Sequence, residues 1–581
     1  MFRTSWTVSA SGKSTSSWGD LLVVGLLALL IYSIVSLAQQ WSGHLEPDLA
    51  IDLSLWALPQ YALYSLSRAL TAYLLSLIFS LTFGYWAAKS KAAAQIILPL
   101  LDIGQSIPVL GFLPGLVLGL MALFPDRNLG LEIACILMIF TGQVWNLAFG
   151  YYASLKAIPA SFFELSRISH LSAWQQFRKI ELPFSATNLA WNSLMSMAGG
   201  WFFLTVCESF TVSGRSFRVP GLGSYMAVAL EKGDTPAIVA GLCAMILLIV
   251  GMDFLIWRPI LAWTRKFRLD EQASDVIGDV PFVEILLKES YMVRSFLRWW
   301  QSLEILEGYK VKFMRTRFFP FHLGLGAQWK RLASPRFFLF LRLLLFAWVA
   351  YHLLPFAHWI QEVSREEARQ VLFASFSTFF RVLAALVLAT LWTVPFGIWV
   401  GLSPRRTRFL QPFIQVAASF PAPMLYPLVL YVLTHFHIGL SWGSILLMLL
   451  GVQWYILFNV LAGASTISNE LRDACHLMHL STFSTWRSLY LPSVLPSLIT
   501  GWVTAAGGAW NASIIAEYVL YKGTIHQVEG LGALINVCTS TGNFHLLAVS
   551  LLAMVTMVIV CNKWIWRKLY GIAERRYKFD R

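Results

Sequence analysis

The sequence predicts an all-α membrane protein built from two tandem, parallel repeats of about six transmembrane helices each. Three observations carry that expectation. Of the 581 residues 57% are hydrophobic and only 13% charged, with mean hydropathy +0.63, a balance too apolar for a soluble globule. The chain repeats itself along most of its length. Each repeat holds about six apolar stretches near the roughly 20 residues a helix needs to cross a bilayer.

The repeat is clearest between spans four and five, where ELSRISHLSAWQQFRKIELP (164–183) is answered by DACHLMHLSTFSTWRSLYLP (473–492) at an offset of 309. The same offset pairs Trp201 with Trp510, Glu208 with Glu517, Gly221-Leu222-Gly223 with Gly530-Leu531-Gly532, and Trp257-Arg258 with Trp566-Arg567. Upstream it becomes 313, pairing Arg68 with Arg381, Gly84 with Gly397, Pro99 with Pro412 and Pro108 with Pro421. One ancestral unit has been duplicated and fused.

In the first half the apolar stretches centre on 21–38, 69–88, 109–124, 133–152, 189–207 and 238–257; in the second, on 337–354, 382–402, 424–434, 441–462, 499–516 and 546–565. The third of each set is short and rich in proline and glycine (Pro108, Gly111, Pro114; Pro421, Pro423, Pro427), as a broken or re-entrant helix would be. Basic residues follow spans two, four and six of both halves, among them Lys89, Lys156, Arg258, Arg405, Arg472 and Arg567. The positive-inside rule puts those sides, and both termini, in the cytoplasm. An even number of spans per half makes the repeats parallel.

Domain limits follow: a polar tail over 1–17, a first transmembrane domain over 18–261, a cytoplasmic or interfacial linker over 262–336, and a second transmembrane domain over 337–581. The linker mixes basic and aromatic residues (Arg294, Phe296, Arg298, Trp299), suiting helices on a membrane surface. The net charge of +14 is explained by these flanking residues, with no nucleic-acid partner implied. The six cysteines form no CxxC pair and read as small buried hydrophobes. Gly12-Lys13-Ser14 lacks the first glycine of a phosphate-binding loop. His435 and His437 have no carboxylate or cysteine partner in sequence, so no metal, cofactor or catalytic constellation is expected.

The duplicated loop reads as two short helices. The first opens at Pro159 and ends at His170-Leu171. Ser172, with Gln175 three residues on, forms a capping box for the second. Trp174, Phe177 and Ile180 then recur every third residue, matched by Phe483, Trp486 and Leu489, making one apolar ridge. Leu182-Pro183 is expected to stop the helix. Such a ridge packs on the protein's own helix ends, or serves as two equivalent docking knobs; its repetition favours docking.

The loop resembles the EAA loop of ABC-importer permeases, roughly E-A-A-x-x-x-G-x(9)-I-x-L-P. Glu164, Ile180, Leu182 and Pro183 match it in the first half, and Asp473, Ala474, Leu489, Leu491 and Pro492 in the second; His170 and His479 stand where the family has glycine. The segments at Glu517, Gly530-Leu531-Gly532 and Trp566–Tyr570 resemble the nitrate/sulfonate/taurine/bicarbonate branch. The resemblance implies a type I ABC-importer-like fold and the fused membrane subunit of an importer for a small anion, in a bacterial plasma membrane. It also implies two separate ATP-binding cassette subunits docked on the loops through Ser172, Ser481 and the residues just named, with an extracytoplasmic solute-binding protein; this chain has no Walker motif and is not expected to be an enzyme. The alternatives are a secondary carrier with two parallel six-helix halves, or a permease for a non-anionic solute.

An intramembrane carboxylate is costly and points to function or pairing. Glu208 and Glu517 lie toward the outer end of span five, Arg68 and Arg381 toward the outer end of span two. Pairs Arg68–Glu208 and Arg381–Glu517 are expected, either as struts around an outer gate or as static ion pairs. The runs Ala198-Gly199-Gly200 and Gly507-Gly508-Ala509 permit close helix approach, which places Trp201, Trp510, Asn511 and Ser513 along the path or in plain helix packing.

Overall fold

The computed structural model describes residues 17–43, 49–264 apart from 107, and 363–566 apart from 522, with a few single positions beyond. The polar tail, nearly all of the linker and the span expected over 337–354 lie outside the described residues.

The first half begins with α1 (Ser17–Ser42) and α2 (Leu58–Phe79). A π-turn at Ser80–Gly84 carries α2 into α3 (Tyr85–Lys89), and α4 (Lys91–Ser106) lies before the third span. That span is α5 (Leu113–Leu123), only 11 residues long after a 3₁₀ turn at Val109–Phe112. Next come α6 (Leu129–Lys156), the loop helices α7 (Ala160–Ile168) and α8 (Ala173–Gln176), and α9 (Leu182–Cys207). A hairpin, β1 (Ser209–Val212) with β2 (Arg215–Arg218), leads to α10 (Leu222–Lys232), α11 (Thr235–Met252) and α12 (Arg258–Thr264).

The second half follows the same order. It runs through α13 (Arg365–Gly401), α14 (Pro404–Ser419), α15 (Ala422–His435) and α16 (Leu440–Ser465). The loop helices α17 (Asn469–Leu477) and α18 (Thr482–Thr485) lead to α19 (Leu491–Ala516), the hairpin β3 (Tyr518–Tyr521)–β4 (Thr524–Gln527), α20 (Leu531–Thr541) and α21 (Phe544–Cys561). Among the described residues seven helices are long and apolar enough to cross a membrane. The pair α14–α15 is bent by 85°, so the proline-rich third stretch of the second half is one limb of a broken helix pair; that of the first half is a short apolar helix.

One expectation needs correction. Leu182-Pro183 does not stop the helix: α8 passes through a π-turn at Phe177–Glu181 straight into α9, and α18 through one at Trp486–Tyr490 into α19. Proline removes one donor and crowds the carbonyl four residues back, and the wider π-turn just before it absorbs that defect without ending the helix. Sequence periodicity also missed the hairpins, whose four-residue strands are too short to show alternation. Ser213 and Gly214 both have positive φ, 49° and 73°, as a two-residue type I′ turn requires.

One apolar core runs through both halves without a break, from Leu131, Met197 and Trp201 to Met448, Ala509 and Trp510. Polar ties cross the same seam. Gln415 Nε2 donates to Asp253 Oδ1 at 2.6 Å, and the Ser213 amide donates to the Thr539 carbonyl at 2.9 Å.

Candidate functional site: duplicated loops, buried ion clusters and seam cavities

The duplicated loops sit at one end of the bundle, here the loop end, and the β-hairpins at the other. In the first loop α7 closes in a Schellman arrangement: the His170 amide donates to Arg167 O at 3.1 Å and the Leu171 amide to Ser166 O at 3.0 Å. The second repeats it, His479 to His476 O at 3.0 Å and Leu480 to Cys475 O at 3.1 Å. His170 and His479 have φ of 48° and 49°. The position where the EAA pattern carries glycine is therefore left-handed in both halves, and histidine is one of the residues that enters this region more readily than most. Ser172 then caps Gln175 N at 3.2 Å within the capping box, and Ser481 caps Ser484 N at 3.2 Å.

The apolar ridge is divided by its surroundings. Trp174 is 67% exposed and its counterpart Phe483 76%. Phe177 and Ile180 are half-buried and Leu489 is buried. Ile180 packs against Tyr151, Leu155 and Ile158, and Trp486 sits edge-on to Tyr490. Because the helix runs on into span five, its later turns lie among neighbouring spans. Only the tip of the ridge is free to meet a partner.

Each loop is tied to the end of span two, by different chemistry. In the first half Lys89 Nζ pairs with the buried Glu181, which also accepts from Gln176 Nε2 at 2.6 Å, while Ser166 Oγ donates to Gln176 Oε1 at 3.0 Å. The position equivalent to Glu181 is Tyr490. There Arg472 Nη1 instead donates to the Leu402 carbonyl at 3.1 Å.

At the hairpin end the two arginines and two glutamates do meet. Arg68 Nη1 lies 2.7 Å from Glu208 Oε1 and donates to Pro220 O at 2.9 Å. Its Nε and Nη2 grip Glu132 at 2.6 and 2.7 Å, so a third charged residue joins, all three fully buried. Arg381 Nη1 reaches Glu517 Oε1 at 3.0 Å and the Glu529 carbonyl at 2.7 Å. Glu132 was not singled out from the sequence. Its signal is an acidic residue at the start of span four that the second half lacks: Ser441 answers it at the 309 offset.

Both glutamates also cap a helix. Gly223 and Gly532 amides donate to Glu208 and Glu517 at 2.7 and 2.9 Å. Ser65 and Thr378 hydroxyls bridge the carboxylates to the Leu222 and Leu531 amides. The carboxylates thus lie at the N-termini of α10 and α20, where the helix dipole favours an anion. A Cβ at Gly221 or Gly530 would stand 2.3 Å from a carboxylate oxygen, which is why glycine begins both Gly-Leu-Gly motifs.

Two cavities lie on the seam between the halves. The larger, about 510 Å³, is at the hairpin end and is lined by residues such as Leu113, Phe210, Met424 and Tyr518. The inner one, about 110 Å³, is lined by Trp145, Gly199, Trp454, Tyr455 and Asn511 among others. Asn511 lines the inner cavity, whereas Trp201 and Trp510 line neither: each is 2% exposed in the core, and Trp201 borders a small void beside Asp253 and Gln415. Ser513 is fully buried and donates to the Trp510 carbonyl. Arg68, Glu208, Arg381 and Glu517 line neither cavity; they stand one layer behind the wall. No cluster of three or more metal-ligating side chains occurs among the described residues.

Residues 80–256 and 393–575 each match the family described as binding-protein-dependent transport system inner membrane component. The chain belongs to this family. It is 27% identical over 268 residues to the trimethylamine N-oxide transport system permease protein TmoV of Pelagibacter ubique, covering 45% of this chain and 31% of the relative. It is 25% identical over 229 residues to the glycine betaine/proline betaine transport system permease protein ProW of Escherichia coli, 39% of this chain and 60% of the relative. The taurine transport system permease protein TauC of Escherichia coli is 29% identical over 180 residues, 31% of this chain and 61% of the relative. Each alignment spans less than two-thirds of the relative's own length. As a family member the chain is a multi-pass membrane protein with two copies of the permease unit.

Proposed function

We propose that this chain forms the whole solute path of an ABC importer, with permease domains at 18–261 and 337–581. Two ATP-binding subunits dock on its loops, and a solute-binding protein delivers to its hairpin end. The observation that carries this reading is the pair of repeat-related loops presenting exposed Trp174 and Phe483 on helices continuous with span five. A push on either tip is transmitted along a rigid rod to the seam cavities. The arginine–glutamate clusters brace the outer gate from behind the path. The loops and both termini face the cytoplasm of a bacterial inner membrane, in keeping with the basic residues at the loop end. The solute is small and bears anionic oxygens, a reading supported by the likeness to permeases named for taurine, betaine and trimethylamine N-oxide.

Co-expression with the candidate ATP-binding subunit tests this. Parent protein is expected to co-purify it, and Trp174→Glu with Phe483→Glu to lose it while eluting as a monodisperse membrane protein. Retention of the ATPase by the double variant would remove the loops as its docking site.

A further inference from the structure

The inner cavity is lined by a two-fold frame with one-sided polar groups. Trp145 answers Trp454, Gly142 answers Gly451 and Gly199 answers Gly508, and all six line the cavity. The repeat therefore keeps the rings and the close-packing glycines. The neutral polar groups break the symmetry: Asn511 is answered by Phe202, Thr504 by Met195, Asn146 by Tyr455, Gln105 by Ala418 and Thr141 by Leu450, each member also lining the cavity. In four of these five pairs only one member carries a hydrogen-bonding side chain, and in the fifth an amide is answered by a tyrosine hydroxyl; a passive gap between two equivalent halves has no reason to be so uneven. A site that holds a solute in one orientation does.

A second observation points to a ligand. Asn511 is more than nine-tenths buried and its Nδ2 donates to the Gly507 carbonyl at 3.2 Å, yet its Oδ1 has no hydrogen-bond partner. A buried amide oxygen left so costs free energy unless something donates to it. Tyr455 crosses the seam beside it: its Oη comes within 3.4 Å of where a Cβ at Gly199 would stand, and its ring within 3.3 Å of one at Gly508. Trp145 is held in place against Gly104, where a Cβ would stand 2.4 Å from its ring.

We propose that this cavity is a solute-contact site for compact zwitterions, a narrowing that rests on the importer reading above. No Asp, Glu, Lys or Arg is among the lining residues, so a net charge brought here would lose its hydration without a counter-ion. Both ends of a zwitterion are served. The faces of Trp145, Trp454 and Tyr455 attract an ammonium head, and the Asn511 oxygen accepts from an N–H where the head carries one. The amides of Gln105 and Asn146 donate to anionic oxygens, while the Thr141 and Thr504 hydroxyls, whose hydrogens go to the Met138 and Thr500 carbonyls, offer lone pairs as acceptors. The cavity volume of about 110 Å³ suits a compact solute.

Saturation-transfer NMR on the full chain in nanodiscs, purified with its ATP-binding subunit, tests the site directly without the solute-binding protein. The probes are taurine against ethanesulfonate, which lacks the ammonium, and glycine betaine against choline, which lacks the carboxylate. At least one zwitterion is expected to bind, with its singly charged partner about tenfold weaker. Asn511→Phe, which installs the first-half residue, and Trp454→Leu should each weaken that binding about tenfold. Asn511→Ser keeps a neutral acceptor and a donor within reach of the Gly507 carbonyl and should retain it, which separates loss of the site from loss of folding. Equal binding of the charged partners, no zwitterion binding, or Phe and Leu variants within twofold of the parent would each overturn the assignment. Whether the ATPase co-purifies in the same preparation reports on the importer reading independently.

Discussion

The two halves perform the same structural task at each end with different chemistry, and the difference shows which features the architecture demands. At the hairpin end both bury a glutamate under an arginine and a helix N-terminus. The first half adds Glu132, so one guanidinium faces two carboxylates with all three sealed, whereas Arg381 faces Glu517 alone and its side chain is 13% exposed. At the loop end both fasten the loop to span two, through a buried ion pair in one half and an arginine–carbonyl bond in the other. What persists in both is the left-handed turn, the capped second helix, the π-turn and the glutamate–glycine contact. What varies is how many charges are buried to hold them.

The largest expected effect separates the two clusters. Arg68→Met strands two buried carboxylates and should destabilise the protein by about 3–5 kcal/mol. Arg381→Met leaves one carboxylate, still held by Thr378 and Gly532, and should cost clearly less; equal shifts in thermal unfolding in detergent would break the comparison.

The loop ties come next. Lys89→Met leaves Glu181 buried without its cation, a loss of about 1–3 kcal/mol, toward the lower end because the lysine side chain is 36% exposed. Arg472→Met removes a bond to a carbonyl and should cost about 1 kcal/mol. Hydrogen exchange over the two loops checks this, with faster exchange expected in the first loop of the lysine variant and little change in the second loop of the arginine variant.

Glu132→Gln sharpens the comparison by converting the first cluster to the one-to-one charge balance of the second. Its amide oxygen can still accept from Arg68, so a cost under about 2 kcal/mol is expected. Unfolding as severe as that of Arg68→Met would show that the extra carboxylate is indispensable to the first half.

The smallest effect is one in which the halves should agree. His170→Gly and His479→Gly relieve a left-handed side-chain conformation at two equivalent turns, each changing stability by no more than about 1 kcal/mol. Valine at either site should be worse than histidine, since a branched Cβ enters that region least readily. Opposite responses of the two loops in melting temperature would mean that their turns are not equivalent.

Much of this was legible in the chain. Composition and the two offsets determined an all-α membrane protein of two like halves, because bilayer solvation acts on average apolarity over some 20 residues, which any window of sequence reveals. The loop motif and its capping serine were legible for a related reason, since turns and caps are local. Tertiary structure alone decided that the helices run through a π-turn into Pro183 and Pro492, that Trp174 and Phe483 project while Ile180 is half-buried and Leu489 buried, and that Trp201 and Trp510 lie in the core while Asn511 borders the inner cavity. Glu132 joins Arg68 across 64 positions of sequence, and the seam cavity needs side chains from both halves. Such pairings are set by how helices rotate and cross, and a linear pattern carries the period of a helix but not the partner its face will meet.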